Sequence, residues 1–182
     1  MRIILQPVMA GLDYNTLHLL ADDISKEFKN IEVIVGSSLI QSEEVTVFQS
    51  AFDRHRKQWN SPKLLQSFLE KFNPDTETKM LVIFGSDAYS YRLNFVLGEA
   101  YRNGRIAAIY LPRIKQEFYG LNPNEQLFYE RMVKESVHEL GHAFGLAHCS
   151  RHLCVMHFSN SLHDTDIKER SFCDSCNRNW IR

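Results

Sequence analysis

One eleven-residue run, His138-Glu139-Leu140-Gly141-His142-Ala143-Phe144-Gly145-Leu146-Ala147-His148, constrains this 182-residue chain more than any other stretch. On a helix, residues four apart leave the same face with Cβ atoms about 5–6 Å apart, so His138 and His142 can share one cation. Glu139 is rotated away from the first ligand. It cannot easily join that ligand on a metal, yet it can reach a water bound there, which is the position of a general base. Gly145 can take the left-handed conformation that ends a helix and turns the chain back, so that His148 arrives from a loop. Three neutral imidazoles leave a fourth position on Zn2+ open, the arrangement that lowers the pKa of bound water toward ~7. A His-Glu-x-x-His string alone also occurs by chance on surface helices. Gly145 and His148 at fixed spacing turn the reading to a hydrolytic zinc site.

All four cysteines fall in the last third of the chain. Cys149 follows the third histidine, Cys154 comes five residues later, and Cys173 and Cys176 form a Cys-x-x-Cys pair. Four thiolates make a closed tetrahedral set suited to structural zinc. Disulfides are the competing reading, with three possible pairings, and they need an oxidising compartment. The first residues, Met1 to Val8, are an apolar run broken by Gln6 and Pro7, with no small-residue cleavage site after it. A four-cysteine zinc site is therefore favoured over disulfides.

The run His138-Glu-x-x-His142-x-x-Gly145-x-x-His148-Cys149, then Cys154-x-Met156, then Cys173-x-x-Cys176, resembles the archaemetzincins, a branch of the metzincin zinc metallopeptidases. Sixteen residues separate Met156 from Cys173, one fewer than in the family pattern. The resemblance implies that His138, His142 and His148 bind a catalytic zinc, that Glu139 is the base, that Met156 forms a Met-turn beneath the metal, and that the four cysteines hold a second zinc. It also implies an α/β (α+β, metzincin-like) fold: a mixed twisted sheet with packed helices, a long active-site helix, and a short irregular C-terminal part held by the second zinc. The expected organisation is a single domain over 1–182. It divides into 1–145, which includes the active-site helix, and a Cys-rich 146–182.

With 44% hydrophobic and 24% charged residues and a formal net charge of −1, the chain reads as an ordinary soluble domain. That charge offers no footprint for a polyanion, and no segment approaches the ~18–20 apolar residues of a membrane span. The expected partner is a peptide substrate, with no nucleic acid and no membrane. The expected compartment is the cytoplasm, and oligomeric state is left open. No N-terminal extension long enough for a blocking pro-segment is expected, which favours peptides over folded proteins as substrates.

Periodicity predicts a strand at Ile3 to Val8, an amphipathic helix through Leu12 to Phe28 and a strand at Ile31 to Val35. Thr46 to Phe52 reads as another strand. Ser61 is expected to cap a helix opening at Pro62, and Met80 to Gly85 reads as a buried strand. Two short strands, Phe95 to Ala100 and Arg105 to Leu111, are joined by a turn containing Asn103-Gly104. Either is a candidate edge for binding extended substrate. A long helix from about Asn124 to Phe144 carries the metal motif.

Asp164 and Asp166 read as solvated loop acids or as acceptors behind the ligand imidazoles. His152 and His157, near the metal loop, are candidates for reaching substrate. Glu99, Glu117 and Glu135 are unranked candidates for holding a substrate amine. The expected function is hydrolysis of peptide bonds by a zinc-bound water that Glu139 activates. Two alternatives stay open: a zinc-binding scaffold with little or no peptidase activity, and a thiol module built on the four cysteines.

Overall fold

The computed structural model describes residues 1–39 and 46–180. Its main sheet has five strands in the order β2-β1-β5-β8-β7: β1 (Arg2–Val8), β2 (Glu32–Val35), β5 (Thr78–Phe84), β7 (Gly98–Ala100) and β8 (Ile106–Tyr110). β1 pairs in parallel with β2 and β5, and β5 with β8, whereas β7 lies antiparallel to β8 at the edge. A small second sheet joins β3 (Phe52–Asp53), β4 (Gln58–Asn60) and β6 (Ala88–Tyr89).

Alternation of side chains sends each central strand into two cores. From β5, Leu81 and Ile83 join one core while Met80, Val82 and Phe84 join the other; β8 divides Ala107 and Ile109 from Ile106, Ala108 and Tyr110 in the same way. The first core is covered by α1 (Tyr14–Glu27) and by the long helix α4 (Glu125–Ala143). The second is covered by α2 (Ser61–Phe72). A sheet buried on both faces explains why β5 is buried at all seven positions. α1 is capped by Asp13, whose carboxylate accepts from the Thr16 N–H at 2.8 Å. α4 is capped by Asn124, whose side chain accepts from the Leu127 N–H at 3.0 Å.

Four local expectations change. Thr46–Ala51 is a 3-10 helix followed by the two-residue β3. Phe48 and Ala51, three residues apart, fall on one side of such a turn, and both are buried, with Phe48 4.8 Å from Phe68 between ring centroids. The α2 cap is Asn60, accepting from the Lys63 N–H, because the Ser61 hydroxyl is buried and bonded to Tyr110 Oη at 2.6 Å. The expected strand from Phe95 shrinks to Gly98–Ala100, since Phe95 instead lies under the Arg113 guanidinium. The C-terminal part contains two short helices, α5 (Leu162–Ile167) and α6 (Asp174–Trp180). A capping box formed by Ser161 and Asp164 opens α5. The remaining short helix, α3 (Leu111–Ile114), follows β8 directly.

Candidate active site

The last turns of α4 carry the motif. His138 and Glu139 are buried, and His142 is half-buried. Gly145, at φ 97°, ends the helix. Its N–H donates to the His142 carbonyl at 2.8 Å and that of Leu146 to the Gly141 carbonyl at 2.9 Å, a Schellman motif. The reversal brings His148 back against the helix. His142 Nε2 lies 3.1 Å from His138 Nε2 and 3.2 Å from His148 Nε2.

The tautomers of His138 and His142 follow from their partners. His138 Nδ1 faces the Val155 carbonyl at 2.7 Å and His142 Nδ1 the Leu146 carbonyl at 2.8 Å. A carbonyl only accepts, so each Nδ1 carries the proton and each Nε2 presents a lone pair. Burial pushes the His138 and His142 imidazoles below their ordinary value and His148 to about 4, which favours the neutral, metal-binding form. A tetrahedron with Zn–N bonds of ~2.0–2.1 Å has edges of about 3.3 Å, so the spacing fits a zinc ion. Asp164 and Asp166 take no part: Asp164 serves the α5 capping box, and Asp166 accepts two 2.7 Å bonds from Arg131. Backbone carbonyls fill the acceptor role that was one of the two readings of Asp164 and Asp166.

Met156 is fully buried. A Cβ on Gly141 would stand 2.4 Å from Met156 Sδ, so glycine inside the helix lets the thioether approach. On the other side, a Cβ on Gly98 of β7 would stand 2.5 Å from Glu139 Cγ. Burial first, then the Glu135 carboxylate, pushes the Glu139 carboxyl well above its ordinary value, with Lys168 opposing. Neither Gly98 nor Gly141 was singled out from sequence; a glycine within a helical or strand pattern is the signal of close approach. Lys168 and Thr165, packed on Glu135, had no sequence signal.

The four cysteines converge although they span 28 residues of sequence. All are free thiols, with their sulfurs within 4.8 Å of one another. Cys149 and Cys173 are 3.8 Å apart at Sγ, as are Cys154 and Cys176. Zn–S bonds of ~2.3 Å give tetrahedral edges of about 3.8 Å, so the shorter loop before Cys173 still brings the pair into register. His157 Nδ1 donates to the Cys149 carbonyl at 2.9 Å, and His157 Nε2 faces His152 Nδ1 at 3.2 Å. These two histidines serve each other and the loop; neither lines the cleft.

The cleft beside the imidazoles encloses about 620 Å³ and is lined by β7, α4, Phe158 to Asn160 and Lys168. Of the two candidate edges, Arg105 to Leu111 contains β8, which is paired on both sides, whereas among the described residues β7 is paired on one side only. Glu99, next to Gly98 on β7, also lines the cleft, where its carboxylate accepts from Ser90 Oγ at 2.8 Å.

Comparison with known proteins decides the family. A profile described as peptidase family M54 matches residues 20–182. The archaemetzincin of Thermococcus kodakarensis is 40% identical over 154 residues, 85% of this chain and 81% of that protein. The chain is an archaemetzincin of peptidase family M54. The archaemetzincin of Methanocaldococcus jannaschii is 38% identical across 97% of this chain and 90% of its own. The crystal structure of the Archaeoglobus fulgidus archaemetzincin superposes with a TM-score of 0.76 at 34% identity, covering 98% of this chain and 99% of the other. Membership makes this archaemetzincin a zinc metallopeptidase, and its mixed α/β fold is that of the solved archaemetzincins.

Proposed function

We propose that His138, His142 and His148 hold the catalytic zinc and that Glu139 is the general base for hydrolysis of peptides. The observation that carries this reading is the triangle of Nε2 atoms with Glu139 beside it, two of the rings being fixed through Nδ1. When bound, zinc supplies Lewis acidity, polarising a substrate carbonyl and making water acidic near neutral pH. Glu139 takes the proton from the attacking water and delivers it to the leaving amine. Its raised pKa suits it to hold that proton between the two steps. Gly98 leaves room for its carboxylate. The side of β7 left unpaired among the described residues aligns an extended peptide by strand addition, which favours short or unfolded substrates over folded proteins.

We further assign Cys149, Cys154, Cys173 and Cys176 to a second, structural zinc, with 146–182 as the subdomain it holds together. Four free thiols in tetrahedral spacing support this over disulfides and fit a reducing cytoplasm. Among the described residues no helix is long and apolar enough to cross a membrane.

The test is a mixed peptide library incubated with zinc-loaded protein, read by mass spectrometry, with Glu139→Ala alongside. The expected result is cleavage that falls by about 10²–10⁴-fold in the variant while two zinc ions per chain and the melting temperature are kept. Equal cleavage by both proteins removes Glu139 from the mechanism. Zinc bound without cleavage by either protein favours the scaffold reading.

A further inference from the structure

The cleft contains a charge that the mechanism does not use. Lys168 caps the C-terminus of α5, and its side chain is fully buried while lining the cleft with Glu135, His138 and Glu139. Its Nζ lies 3.0 Å from Glu135 Oε1, yet directs no hydrogen bond there and has no hydrogen-bond partner among the described residues. Glu135 Oε1 already accepts from Thr165 Oγ1 at 3.1 Å.

Lysines near a surface normally extend to water. This one is held in. Arg131 grips Asp166 through two 2.7 Å bonds, and Lys134 Nζ donates to the carbonyls of Thr165 and Asp166 at 3.2 and 2.9 Å. The end of α5 is thus locked onto α4. A buried ammonium with donors unspent is costly, and it is pre-organised for an acceptor that the chain itself does not supply.

The location identifies that acceptor. Glu135 precedes His138 by three residues and Glu139 by four, so it lies on the same helix face one turn, about 5.4 Å, toward the N-terminus. A substrate group passing Glu139 along this face next meets Lys168. Glu135 balances the charge of the resident pair, while the open N–H bonds require a hydrogen-bond acceptor.

We propose that Lys168 forms a carboxylate-recognising subsite at the floor of the cleft, so that peptides bearing an acidic side chain or a free C-terminal carboxylate next to the scissile bond are preferred. The inference rests on the peptidase reading of the site. Selection arises from both sides: a carboxylate gains a charge-assisted bond, and an apolar group leaves the desolvated N–H donors of the ammonium without an acceptor, its charge balanced by Glu135 alone.

Binding rather than turnover tests this. Zinc-loaded protein is titrated calorimetrically with tetrapeptide amides in which Glu is scanned through each position against Gln, and with the Gln peptides carrying a free C-terminus. At one register the carboxylate is expected to tighten binding about tenfold or more, and Lys168→Met to bring it to within about twofold of the neutral peptide. A gain confined to the Glu amides identifies a side chain, and one confined to the free acids identifies the chain terminus. Should Lys168→Met misfold around an unpaired Glu135, the double variant Glu135→Gln/Lys168→Met removes both charges at nearly constant shape. No carboxylate gain in the wild type, or a gain that survives removal of Lys168, overturns the proposal. A lysine-dependent gain without cleavage of any peptide counts against the peptidase reading and leaves the subsite standing.

Discussion

Gly98 and Gly141 face each other's concerns across the site: one leaves space for the carboxylate of Glu139, the other for the sulfur of Met156. In Gly98→Ala the new methyl must displace Glu139, whose Oε1 would lie 2.6 Å away. The strand itself tolerates alanine, since glycine in a strand carries extra conformational entropy in the unfolded chain. Gly98→Ala is therefore expected to keep its melting temperature and zinc content while kcat/KM falls about 10²-fold, the cost of misplacing a catalytic group by roughly an ångström. Parallel thermal melts and peptide kinetics check this; unchanged kinetics would show that Glu139 has room to spare. The contrast with Glu139→Ala is useful, because one change deletes the base and the other only moves it.

At the scale of elements, the loop from Gly145 to Met156 is closed on itself and tied to the segment that follows it. The Cys149 N–H donates to the Met156 carbonyl at 2.8 Å, and the Val155 N–H to the Ser171 carbonyl at 3.0 Å. Loss of one thiol ligand should loosen this assembly: Cys176→Ser is expected to release one zinc per chain, because metal binding of this kind is coupled to folding. It should also lower the melting temperature and expose the C-terminal segment to hydrogen exchange. Zinc content by mass spectrometry and exchange rates check it, and an unchanged metal count would remove the second zinc.

The same elements show why legibility differed along the chain. That His138, His142 and His148 meet was readable because helical spacing and the turn at Gly145 determine it locally; the meeting of the two cysteine pairs was suggested by their number and pairing, not by local geometry. β1, β5 and the Asn103-Gly104 turn were readable because periodicity and turn chemistry are local too; Asn103 adopts φ 55° there. The cap at Asn60 was misplaced because Ser61 is taken by Tyr110, a contact 49 residues away. Phe48 was misread because a short apolar run fits a strand and a 3-10 turn equally. Lys168, Gly98 and the carbonyls behind His138 and His142 depend on which segments meet in three dimensions.

On the scale of the whole molecule, Arg170 ties the C-terminal segment to two helices. Its guanidinium donates to Glu130 Oε2 of α4 at 2.7 Å and to Asp23 Oδ2 of α1 at 2.9 Å, and Tyr129 Oη also donates to Asp23 at 2.9 Å. The hydrogen bond from Arg170 holds the Glu130 carboxyl below its ordinary 4.5. For Asp23, burial works upward from 3.8, but bonds from Lys26 and Tyr129 and the charges of Lys26 and Arg170 outweigh it. Carboxyls depressed in the folded state contribute stability that is complete above their ordinary values and is lost as pH falls through the lower folded values. The gap in melting temperature between wild type and Arg170→Leu should therefore be full at about pH 6 and narrow below 4.5. Melts at several pH values decide it, and a gap independent of pH would mean that Arg170 acts through packing alone.

His148 and Cys149 are neighbours in sequence but belong to different donor sets. With both sets filled, a single peptide bond separates a ligand of one ion from a ligand of the other. Whichever ion arrives first pays the entropy of ordering that loop, and the second finds its ligand already in place. Loading is then cooperative, and by reciprocity a chelator that strips either ion weakens the hold on the other. A peptidase wired in this way holds its catalytic ion less tightly once the four-thiolate site is empty.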